Sequence, residues 1–130
     1  MTPAEEYDLA CWVAQSLLEL QRDMHRSLVT SRKIDAWFDW DRNWVVDDAD
    51  LIGYVYSWPI FGRVLEVMEN KGWAHHHITG LEKETWFEFM KQNEEGTVHV
   101  ATFGDHTQKI NDLITSCYLA ARKALASERS

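Results

Sequence analysis

The sequence predicts an α+β fold: an antiparallel sheet of three to four strands packed with helices. Three observations predict it. Apolar residues recur at helical spacing near both ends of the chain, a third helical stripe near the middle stops at a Lys-Gly pair, and three alternating runs follow it, joined by loops of hairpin length. The predicted order is helix, strand, helix, strand, strand, strand, helix, in one domain of residues 1–130. Within it, residues 1–33 read as an N-terminal helical element suited to oligomerisation and residues 34–126 as the α+β core.

From Pro3 to about Leu28, Tyr7, Ala10, Cys11, Ala14, Leu17, Leu18 and Met24 recur at helical spacing, and Pro3 stands where a first turn tolerates it. The reading is one long amphipathic helix. Trp12 lies off its stripe, beside Ser16, Glu19 and Asp23, and is assigned to a contact between copies of the chain. Ile34 to Asp50 mixes four aromatics with six aspartates and predicts at least one short strand, at Ala36–Trp40 or Trp44–Asp47.

Gly53–Tyr56 reads as short and extended. Ser57 then caps a helix with Pro59 in its first turn and Ile60, Phe61, Val64, Leu65, Val67 and Met68 on its inner face, and Lys71-Gly72 ends it. The runs Trp73–Thr79, Glu84–Lys91 and Thr97–Phe103 form an antiparallel meander. Asp105 with Gln108 makes a capping box for a last helix carrying Ile110, Leu113, Ile114, Cys117, Ala121, Ala124 and Leu125, with Ser127–Ser130 frayed.

Composition bounds the function. With 130 residues, 45% apolar and 26% charged, the chain has the balance of an ordinary globular domain. No apolar run reaches the roughly 18 residues of a membrane span, and the N-terminus is acidic, so a cytoplasmic protein without a membrane partner is expected. Cys11 and Cys117 fall on helical stripes and read as small core residues rather than a disulfide. A formal charge of −8 opposes direct nucleic-acid binding and suits a basic protein surface. The seven tryptophans are the compositional outlier, read as core, as interface or as stacking platforms.

The segments SWPIFGRVLEVMENKGW and DHTQKINDLITSCYLAARKAL, with the meander between them, resemble the first and last helices of the phage ABA-sandwich domain over about residues 54–125. The resemblance implies an origin in a phage or prophage genome, hence the host cytoplasm. It also implies a small accessory or counter-defence protein, and it carries no catalytic motif.

The residues singled out for chemistry centre on His75-His76-His77. Strand alternation puts His75 and His77 on one face, a spacing that zinc sites use, and His99 on another strand is the third candidate ligand. A metal-dependent hydrolase with Glu88 as base is the enzymatic alternative, and no cofactor is expected. The favoured reading is a binding protein in which His75, His77 and His99 meet a small anionic, nucleotide-like molecule and Trp73, Trp86 and Trp44 stack on it, or whose surface blocks a host protein. A homo-oligomeric assembly module without ligand is a further alternative. His77-Ile78-Thr79 matches one His-x-Thr element of two-histidine phosphoesterases, but His99-Val100-Ala101 lacks the second hydroxyl. Asp39–Asp50 spaces oxygen ligands like a calcium loop and fails at Trp44, where the bend needs glycine.

Overall fold

The computed structural model describes residues 2–26, 31–80, 85–92, 94–96, 98–103 and 113–128. The α+β class holds, with two three-stranded antiparallel sheets where the sequence predicts one. The chain divides into two compact units, Met1–Val64 and Leu65–Ser130.

The first unit opens with α1, Pro3–Ser16, fixed at its start by a capping box. The Thr2 hydroxyl accepts from the Glu5 amide at 3.1 Å and the Glu5 carboxylate accepts from the Thr2 amide at 3.1 Å. This helix is shorter than predicted. Glu19 takes a left-handed φ of 56°, and the amides of Leu18 and Leu20 fold back onto the carbonyls of Val13 and Ala14. The chain continues as β1, Gln21–Arg26, whose one residue on the predicted apolar stripe, Met24, is 51% exposed.

β1 pairs in register with β2, Lys33–Phe38, which pairs with β3, Trp44–Asp47, across an irregularity at Trp37/Phe38. Both short strands suggested for 34–50 are therefore present, although Trp40 lies beyond the first. A 3₁₀ turn, Asp48–Asp50, leads into α2, Leu51–Val55, so the stretch predicted as extended is helical. The signal was the four-residue spacing of Leu51 and Val55, both fully buried on one face of a single helical turn.

α3, Trp58–Asn70, begins where predicted, with the Ser57 carbonyl accepting from the Phe61 amide. It ends in a Schellman turn: the Trp73 amide donates to the Met68 carbonyl and the Gly72 amide to that of Glu69. Gly72 has φ +92°, the conformation that calls for glycine, and a Cβ there would meet only the flexible end of Lys91, its Cε at 3.3 Å.

The second unit carries the predicted meander: β4, Ala74–Thr79, then β5, Thr85–Gln92, then β6, Val98–Phe103, in the order β4-β5-β6. α4, Leu113–Ser127, contacts β5 and β6, with Ile114, Cys117, Ala121 and Ala124 of the predicted stripe buried. The Asp105–Gln108 cap lies outside the described residues. The predicted fraying from Ser127 is corrected for its first two residues: Ser127 belongs to α4, and the Glu128 carboxylate is held by Trp73 and Lys91.

Candidate functional site

The histidine strand splits its residues between two faces. His75 lies opposite Phe89, and His77 opposite Phe87, on the side where both phenylalanines are buried. The His75 ring stacks on Phe87 at 5.6 Å and meets Phe89 edge-on at 6.0 Å, and its Nε2 lies 3.4 Å from Glu69. His76 faces the other side, 2.9 Å from Glu88, its cross-strand partner.

The strand order separates the proposed ligands. His99 stands opposite Lys91 on β6, and β5 runs between β6 and β4, so two strand spacings, roughly 9.6 Å, part its backbone from that of the other histidines. Glu88 is on the opposite face from His75 and His77, which removes it as a base beside them. Among the described residues no group of three or more His, Cys, Asp or Glu side chains is placed to hold a metal ion.

Trp73, assigned above to stacking on a ligand, is a core residue at 1% exposure. Its indole donates to Glu128 Oε1 at 2.9 Å, and the Lys91 ammonium lies over its ring, 5.6 Å from the centroid. Lys91 donates in turn to Glu128 at 2.8 Å and to the Lys71 carbonyl at 2.9 Å. The lysine and the tryptophan together hold the Glu128 carboxyl below its ordinary range against the opposing effect of burial, with the Lys91 bond the largest cause. Glu69, Gly72, Trp73, Ala74 and His75 border an open depression of about 450 Å³. Trp86 is half-buried opposite Ile78, on the side of His76 and Glu88.

In the first unit, one face of the β1-β2-β3 sheet is closed by a polar network. Asp48 Oδ1 accepts from the Tyr7 hydroxyl at 2.7 Å and from the Trp37 indole at 2.9 Å, and Arg22, bound to Asp35 at 2.7 Å, lies 3.6 Å from the other oxygen. Burial first, and the Asp48 bond second, push the Tyr7 phenol far above its usual value. Burial likewise raises both thiols, Cys11 and Cys117, which are free and unsuited to nucleophilic attack. Trp12, assigned to an interface, is half-buried on α1.

The opposite face of the same sheet leaves Trp44 exposed. It groups His25, Phe38, Trp44 and Asp47: the His25 ring lies 6.1 Å from Phe38 and 6.5 Å from Trp44, and Asp47 Oδ1 accepts from the Trp44 indole at 2.9 Å while standing 3.4 Å from His25 Nε2. The hairpin that leads there is stiff. Asp39 and Asn43 bond through backbone and side chain, the Arg42 amide donates to the Asp39 carbonyl, and Arg42 reaches Asp23 at 3.1 Å with a left-handed φ of 67°. This turn holds Trp40 out at 74% exposure, beside Trp44 at 53%.

Of the residues predicted to bind, the structure thus brings His75 and His77 to one face, puts the backbone of His99 two strands away, turns Trp86 to the other face, buries Trp73 and leaves Trp44 on a surface of the first unit. His25, Phe38, Trp40 and Asp47 were missed because His25 was read into a helix and the hairpin had no assigned register. Their signal was two tryptophans among five aspartates within Asp39–Asp50. No family model matches the chain, and neither the curated proteins nor the solved structures hold a significant match to it.

Proposed function

We propose that the chain is a small binding protein that blocks a basic protein surface with the acidic, tryptophan-bearing hairpin between β2 and β3. One observation carries this reading: Trp40 and Trp44 are 74% and 53% exposed beside Asp39, Asp41 and Asp47. A tryptophan face with a neighbouring carboxylate suits a lysine or arginine side chain, through cation–π attraction and an ion pair. Large rigid aromatic surface also loses little side-chain entropy on binding.

The reading that a small anionic signal is sequestered draws less support. His75 and His76 each stand beside a glutamate, and the net charge of −8 repels anions. The resemblance to the phage ABA-sandwich pattern supports a setting in which the blocked protein belongs to the host and the blocking is counter-defence.

The test is a titration of the purified chain with arginine- and lysine-rich peptides beside nucleotides, read by tryptophan fluorescence and thermal shift. Saturable peptide binding that is lost in Trp40→Ala and Trp44→Ala, and kept in Trp86→Ala, is expected. Nucleotide binding insensitive to Trp40 and Trp44 would return the anionic ligand to first place.

A further inference from the structure

The edges of the two sheets are guarded unequally. β1 sets Arg22, Asp23 and Arg26 along its six residues. β3 is four residues long, shifts register against β2 and ends on Asp47. Charge, brevity and irregular pairing are the devices that keep an edge strand from joining another chain. β4 has none of them, and neither has β6 at the other edge of its sheet, but β4 is the edge whose exposure is described. Ala74 to Thr79 hold no Lys, Arg, Asp, Glu or Pro and pair with β5 in unbroken register over six residues. All but His75 are exposed, and among the described residues β5 alone pairs with this strand.

We propose that β4 is the docking edge for a second copy of this chain, the two strands running antiparallel about a twofold axis at His76. The pairing joins two three-stranded sheets into one. The strand favours itself as occupant because Ala74-His75-His76-His77-Ile78 is nearly palindromic about that axis. His75 meets the copy's His77, His76 meets its equivalent, and Ala74 meets the copy's Ile78. Ile78 is 47% exposed, and the methyl group opposite leaves room for it, so each flanking rung covers one large side chain with a small one.

Charge points the same way. Two chains of formal charge −8 repel, and they meet at least cost along a strand without formal charge. Centring on His76 also keeps faces matched, since residues of one parity meet residues of the same parity and both copies of α4 stay on one side. This surface is distinct from Trp12 and from the β2–β3 hairpin, so its test is independent of theirs.

The experiment is sedimentation of the full chain at neutral pH over a concentration series, with Ile78→Lys and His77→Lys as edge-charging variants and Trp12→Ala as comparison. A reversible dimer is expected, weakened at least about tenfold in each edge variant and unchanged in Trp12→Ala, with the variants keeping the wild-type circular dichroism. Two exposed positions are used so that a folding defect in one leaves the other to decide. A monomer at every concentration up to about 1 mM overturns the proposal, as does a dimer that both lysines leave intact.

Discussion

Trp37 and Trp44 stand on neighbouring strands of one sheet and make the same bond. Each indole donates to an aspartate oxygen at 2.9 Å, and the two acceptors, Asp48 and Asp47, are consecutive in the chain. Yet Trp37 is fully buried and Trp44 is 53% exposed. Alternation along β2 turns Trp37 and Phe38 to opposite faces, and the register shift between them pairs Trp44 with Phe38, so the two indoles point to opposite sides of the sheet and burial then separates their roles. On the closed face the bond satisfies a donor cut off from water. On the open face it fixes the orientation of a ring that another molecule can reach.

The largest effect expected from this contrast is on stability. Trp37→Ala removes a fully buried ring and should cost ~3–5 kcal/mol, whereas Trp44→Ala should change stability by no more than about 0.5 kcal/mol. Urea denaturation of the two variants measures both, and equal losses would break the comparison. The aspartates sharpen it at smaller amplitude. Asp48→Ala leaves the Tyr7 hydroxyl and the Trp37 indole without their acceptor, at a cost of roughly 1–3 kcal/mol, while Asp47→Ala should stay within about 0.5 kcal/mol. If the two carboxylates prove equivalent, the network around Asp48 is no more than a surface feature.

The fold was legible where a periodic pattern extended over several turns or strands. The inner face of α3, its Gly72 stop, the three strands of the meander and the stripe of α4 all followed from spacing and turn residues. What was not legible depended on long-range pairing. Gln21–Arg26 has no apolar alternation, so only its partner β2 makes it a strand, and Met24 extended the helical stripe by accident of spacing. The histidine strand was correctly placed, but strand order, which no local pattern encodes, sets the backbone of His99 two strands away from it. The tryptophans divide in the same way. Composition counts them, whereas their facing is set by register: Trp73 is sealed under Lys91 and Trp40 is lifted out by a five-residue turn whose hydrogen bonds the sequence only hinted at through Asp39 and Asn43.

The smallest of these effects is the most specific, because it has a sign. Trp73 in the second unit repeats the arrangement of Trp37, a buried indole donating to a carboxylate, but its acceptor Glu128 is also bonded by Lys91 and is held below its ordinary pKa of 4.5. A carboxyl with a lowered folded-state pKa contributes stability that is fully present above its unfolded value and is lost as the pH falls through the folded one. Melting of the wild-type chain should therefore hold from neutral pH down to about 4.5 and decline below it, as far as this group contributes. Glu128→Gln keeps an oxygen acceptor for the indole and loses the charge facing Lys91. It should melt lower than wild type at pH 7 and converge with it on acidification. The carboxylate is more than a third exposed, so solvent screening keeps the gap small. Parallel melting curves across that range would show that Glu128 acts only as a neutral acceptor, and Lys91 would then be held by its bond to the Lys71 carbonyl and by the ring of Trp73.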